Sequence, residues 1–153
     1  RKAHRGRLLS NEDQGVWFIG GVCRETRDPV VLNVRRRDAE TLRDAINENI
    51  EPGTRLITDC WRGYANLSHY GWVHEQVNHS INFVNPENPD IHTQTIERIW
   101  KTLKKTIPKE CNSRQRWEYV NEFLFKQRNN WYSLTIGERI RLIMNTLIDI
   151  RYL

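Results

Sequence analysis

Cysteine is scarce and scattered in this sequence. Cys23, Cys60 and Cys111 stand far apart with no C-x-x-C pair, which excludes a zinc ribbon and implies no disulfide framework. That usage fits a reducing, intracellular compartment, the nucleus in a eukaryote or the cytoplasm in a bacterium. No apolar run approaches the roughly 18–20 residues that span a bilayer, so no membrane partner is expected. Glycine-rich phosphate loops are absent; Gly20-Gly21 falls inside an apolar run and marks a bulge or close packing instead. Zinc is not expected either, because His74-Glu75 is followed by His79, one residue past the spacing that puts two imidazoles on one helical face. There is no internal repeat, no low-complexity tract and no signal-peptide pattern. The first residue is Arg1 rather than Met, which predicts that the sequence begins inside a longer chain.

What is present suffices for one domain. The chain has 153 residues, 38% of them hydrophobic and six of them Trp, enough apolar surface for a single core and too much for global disorder. Lys and Arg total 24 against 19 Asp and Glu, a formal charge of +5 that suits a polyanionic partner.

Residues 1–14 carry four Arg or Lys in the first seven positions without apolar periodicity, and predict a basic loop or a solvated tail. The run from Gly15 to Arg24 predicts a buried strand, and Val30 to Val34 its antiparallel partner across a turn at Thr26–Pro29. Asp38 can cap a helix with Ala39, Leu42, Ala45, Ile46 and Ile50 on one face, ended by Pro52-Gly53. Thr54 to Thr58 predicts a strand that delivers Asp59, Trp61 to Leu67 a short helix, and Trp72 to Val77 another strand. Residues 85–90 are a loop on their Asn and Pro content. Thr93 or Thr95 can cap a helix bearing Ile96, Ile99, Trp100, Leu103 and Ile107, stopped by Pro108. Further helices are predicted at about 114–129 and 135–150. Strands first and helices afterwards give an α/β or α+β layered architecture.

Two carboxylates stand out. Asp59 follows apolar Leu56-Ile57 and precedes Trp61 and Tyr64, and an acid at the C-terminal end of a strand sits where α/β sheets bind ligands. It can equally cap the short helix after it. Glu97 lies early in a helix with Lys104 two turns on, an arrangement in which the carboxylate ligates a divalent cation and the ammonium holds a phosphate oxygen. An ordinary charged stripe reads the same way. From Arg98 to Arg116 there are seven basic residues, Arg98, Lys101, Lys104, Lys105, Lys109, Arg114 and Arg116, against one acid, Glu110, a net of +6. Such a concentration grips phosphates or forms a solvated helix face. Cys60 has no assignable His partner and reads as a small buried residue.

The segments ITDCWRGYANL (57–67), VHEQVNHSINFVNP (73–86), HTQTIERIWKTLK (92–104) and YVNEFLFKQRN (119–129) together closely resemble the DDE transposase domain of a bacterial insertion-sequence group and its eukaryotic relatives, the Merlin superfamily. The resemblance runs through nearly the whole chain. It implies an α/β, ribonuclease H-like fold with a mixed sheet and a helical C-terminal half. It also implies three acids that bind two Mg²⁺ (or Mn²⁺) ions for in-line attack on the phosphodiesters of double-stranded DNA, at transposon ends and target. Asp59 matches the second acid, Glu97 the third with 37 residues between them, and Lys104 the basic residue that follows. By the same resemblance, Trp61, Arg62, Tyr64, His92, Arg98, Lys101, Lys104 and Lys105 are expected at the nucleic acid, Thr93 and Gln94 lead into the catalytic helix, and a homo-oligomer is expected. The departure lies at the start. The family's first acid precedes a segment like RKAHRGRLL, with which this sequence opens, and Asp13 and Asp28 sit in turn-like stretches that do not replace it. The loss of that central strand predicts a gap between the hairpin and the Asp59 strand. A transposon-derived remnant that binds DNA or protein without catalysis is the alternative, and a nuclease that cuts without joining is a third reading.

Overall fold

The structure, a computed structural model, describes residues 17–78, 81 and 84–150. The expected basic segment 1–14, with Asp13, lies outside the described residues, as does His79. The apolar run forms strand β1 (Trp17–Val22), which pairs antiparallel with β2 (Pro29–Val34). Their register is unbroken, Gly20 opposite Val31 and Gly21 opposite Val30, so the glycines do not mark a bulge. They mark close packing: a Cβ on Gly20 would stand 2.4 Å from the Trp100 ring.

Helix α1 (Ala39–Asn49) starts where Asp38 accepts the Thr41 amide at 3.0 Å, as its cap position demands, and buries Leu42, Ala45 and Ile46. A turn with Gly53 at φ 83 leads into β3 (Arg55–Asp59), which pairs in parallel with β4 (Val73–Val77). The helix expected from Trp61 to Leu67 appears as two short 3-10 turns, Arg62–Tyr64 and Leu67–Tyr70, because seven residues are too few for a stable α-helix to propagate. Then come α2 (Gln94–Thr106), α3 (Ser113–Arg128) and α4 (Ile136–Ile150). Pro108 stops α2 as expected, and Asn112 with Gln115 forms a reciprocal capping box at the start of α3.

Among the described residues the strands form two separate two-stranded ladders, β1-β2 and β3-β4, in place of one mixed sheet. Each ladder has its own packing. Val31 meets Leu103, Val120, Phe123 and Leu124, with Phe18, Trp100 and Trp117 packed against them. Ile46, Leu67 and Trp72 form a second cluster with Leu56 and Tyr64. Among the described residues a cleft lies between the two ladders, lined from both. Helix α4 behaves otherwise: its apolar residues Ile136, Ile140, Ile143 and Met144 are exposed. Among the described residues no helix is long and apolar enough to cross a membrane.

Candidate active site

The cleft between the ladders has a volume of about 240 Å³. Gly20 and Leu32 line it from the hairpin, Ile57, Thr58 and Asp59 from β3, Ile46 and Asn49 from α1, and Thr93, Ile96, Glu97 and Trp100 from the start of α2. Its walls are thus mostly apolar, and Asp59 and Glu97 both open into it. The local reasons are plain. β3 ends at Asp59, so its carboxylate leaves the ladder at the strand's C-terminal end. On α2, the face that packs Ile99 and Leu103 inward also carries Ile96 and Trp100 into the cleft, with Glu97 beside them. Gly20 permits that docking, since any side chain there would push the Trp100 ring away.

Both carboxylates accept hydrogen bonds from nearby residues. Asp59 accepts the Trp61 amide at 3.1 Å, an Asx turn that sends the chain into the first 3-10 turn. This realises part of the capping alternative, yet its second oxygen carries no hydrogen bond among the described residues. Glu97 accepts the Thr93 hydroxyl at 2.7 Å. Thr93 was expected as a helix cap, but its buried hydroxyl makes no capping bond to the helix backbone and donates to the carboxylate instead. Tyr64 also lines the cleft, and burial, with the negative charge of Asp59 second, pushes its phenol above the ordinary value. It stays a neutral hydrogen-bonding group at neutral pH. His74 Nε2 lies 2.9 Å from the Thr58 hydroxyl, one residue before Asp59, and burial lowers its pKa.

The other expected site residues scatter. Trp61 and Arg62 line a neighbouring cleft, apart from Tyr64. Lys104 does not line the cleft; it is exposed in the last turn of α2, about 10 Å along the axis from Glu97 by the helical rise. Arg98, Lys101 and Lys105 are likewise exposed on α2 and line neither cleft. His92 is half-buried, and its carbonyl and that of Asp90 both accept from the Arg24 guanidinium, which fastens the entry to α2 to the end of β1. Cys60, expected to be buried, is exposed, because the chain turns outward at Asp59. Sequence reasoning missed Arg24, whose partners are backbone carbonyls that leave no residue pattern.

Both candidate donors are carboxylates, the oxygen ligands that hard divalent cations take. Mg²⁺ is commonly held by one or two carboxylates with substrate phosphates and water completing the shell, and two carboxylates face one cleft here. Among the described residues no group of three His, Cys, Asp or Glu joins them. The profile of the ISXO2-like transposase domain matches residues 1–128, well over half of the chain. Comparison with curated proteins and with solved structures found no match. With its carboxylate-bearing cleft inside the matched span, this chain belongs to the ISXO2-like transposase domain family, a group of DDE transposase domains.

Proposed function

We propose that this chain is the catalytic domain of a DNA transposase, cleaving and joining double-stranded DNA at transposon ends with Mg²⁺ or Mn²⁺. The observation that carries the reading is the shared cleft: Asp59 and Glu97, 37 residues apart in sequence, line one cavity between β3 and α2. Asp59 and Glu97 would hold the metal, with Thr93, whose hydroxyl donates to Glu97, setting the orientation of that carboxylate. When bound, the divalent ion supplies Lewis-acid stabilisation of the phosphodiester oxygens and lowers the pKa of an attacking water. In the first reaction water attacks the phosphodiester, a new P–O bond forms as the P–O3′ bond breaks, and the departing 3′ oxygen takes up a proton. In the second a 3′ hydroxyl replaces water.

The same reading takes the fold as ribonuclease H-like. An acid-bearing strand would lie between β1 and β3, joining the two ladders and adding the third carboxylate at the C-terminal end of Asp59's strand. The separate ladders with a cleft between them support this arrangement. Lys104, and the exposed Arg98, Lys101 and Lys105, would meet DNA phosphates outside the cleft, and the exposed stripe of α4 suits a second copy in a homo-oligomer.

The test is metal-dependent nicking and strand transfer by the full-length gene product on a transposon-end substrate. Asp59→Ala and Glu97→Ala are each expected to abolish both. Full cleavage by either variant overturns the assignment. Salt-dependent DNA binding with no metal-dependent cleavage by the wild type would mark a non-catalytic remnant, and nicking without strand transfer a nuclease.

A further inference from the structure

The three consecutive arginines after β2 take no part in the Asp59–Glu97 cleft. They enter a second one. Arg35, Arg36 and Arg37 face the Trp61-Arg62-Gly63 turn across a cleft of about 530 Å³, with Trp17 on its wall. Four arginines against one acid, Asp38, give this cleft a charge of +3. The acid is already engaged, since Asp38 pairs with Arg36 at 2.7 Å and accepts the Thr41 amide. Among the described residues Arg35, Arg37 and Arg62 pair with no carboxylate. Three unpaired guanidiniums lining one cleft give it a positive potential that favours a polyanion.

The aromatic groups narrow the choice of ligand. The Arg37 guanidinium stands 4.3 Å from the Trp17 ring centre and 6.0 Å from that of Trp61. Trp61 is set by its own turn: its ring lies so close over Gly63 that a Cβ there would come within 2.3 Å, and Tyr64 meets it edge-on at 5.5 Å. A lone inorganic anion needs no flat apolar surface, and an acidic peptide needs no paired indoles. Alternating phosphates and planar bases need both, guanidiniums for the backbone and indoles for stacking.

We propose that Arg35, Arg37 and Arg62, with Trp17 and Trp61, form a binding cleft for a nucleic-acid strand, phosphates on the guanidiniums and a base stacked on the indoles. The Trp61 amide bonds Asp59, so the Trp61 turn that walls this cleft adjoins the residue that lines the first. The inference thus deepens the transposase reading and rests on it for the identity of the substrate.

The experiment is fluorescence anisotropy of a labelled single-stranded DNA of about 20 nucleotides, long enough to fill such a site, with the 153-residue chain in EDTA across a salt series. Arg35→Gln with Arg37→Gln is expected to weaken binding at least tenfold and to lower the log–log salt slope by about 1.4, two phosphate contacts at roughly 0.7 each. The charge-matched control Arg27→Gln with Arg141→Gln, two exposed arginines outside both clefts, should leave the slope unchanged. Trp61→Leu should weaken binding about five- to a hundredfold and Trp61→Phe much less, as lost stacking requires. Circular dichroism and melting curves verify that each variant folds, and Arg62→Gln serves as the phosphate test if the double variant does not. Equal losses from the two arginine pairs, or none from Arg35 and Arg37, overturn the proposal while leaving Asp59 and Glu97 untouched. A wild type that does not bind the single strand overturns this proposal alone, whereas the transposase reading falls only with the metal-dependent nicking of double-stranded ends.

Discussion

Replacing Gly20 by Ala tests how α2 is seated on the hairpin. In the structure the added methyl would stand 2.4 Å from Cζ2 of Trp100, about 1 Å inside ordinary contact. Trp100 cannot simply swing aside, because it packs against the cluster built on Leu103 and Val120 and also walls the cleft. Overpacking of this kind costs roughly 1–3 kcal/mol. Removing a strand glycine returns about 0.5–1 kcal/mol of backbone entropy; with a contact this short the overpacking cost falls in the upper half of its range, about 2–3 kcal/mol, leaving a net loss of about 1–2 kcal/mol. For a chain of this length that corresponds to a fall in Tm of about 2–8 °C. Differential scanning calorimetry of Gly20→Ala, Trp100→Leu and the double variant completes the cycle. In the Trp100→Leu background the alanine should become neutral or stabilising, since the clashing ring is gone. An alanine variant that melts with the wild type, or the same loss in both backgrounds, refutes the packing argument.

Two further outcomes follow from the contacts around the carboxylates. Thr93→Val keeps the buried shape but removes the donor to Glu97; stability should change by no more than about 1–2 kcal/mol, while Mn²⁺ affinity measured by calorimetry falls about 10–100-fold. Unchanged affinity would show that Thr93 does not orient Glu97. Burial lowers the His74 pKa, so the unfolded state binds more protons near the ordinary His value. Stability should therefore be complete above about pH 7 and decline as pH falls through roughly 6.5, the unfolded value. Urea titrations at stepped pH should show this decline and its disappearance in His74→Gln; a persisting slope would assign it to another group.

Much of this arrangement was legible in the sequence because the signals were local. The 3.6-residue periodicity of Ile96, Ile99, Trp100, Leu103 and Ile107, closed by Pro108, gave α2 and put Glu97 near its start. Asp38 announced its cap, and the apolar runs announced the hairpin. Asp59 at a strand end and Glu97 in a first helical turn stand out in the sequence for the same local reasons, and both line one cleft. What was not legible depends on three-dimensional neighbours. Glycine at position 20 explains itself only once Trp100 lies over it. The Thr93 hydroxyl could have capped the helix or bonded Glu97, and only the backbone at Thr93, outside the extended geometry of an ordinary cap, settles which. Lys104 was placed on the face of Glu97 by periodicity, but periodicity is silent about the axial distance that keeps it out of the cleft. The Arg35–Arg37 run looks like any solvated loop until the Trp61 turn is folded opposite it.

The most direct test of the central claim is whether Asp59 and Glu97 serve one divalent ion. Mn²⁺ titrated into the ¹⁵N-labelled chain should broaden the amides of residues 59–64 and 93–100 together, with a single saturable affinity, and Asp59→Asn or Glu97→Gln should each abolish both effects. Broadening of one segment that survives loss of the other segment's carboxylate, or no saturable broadening of either, would contradict the account.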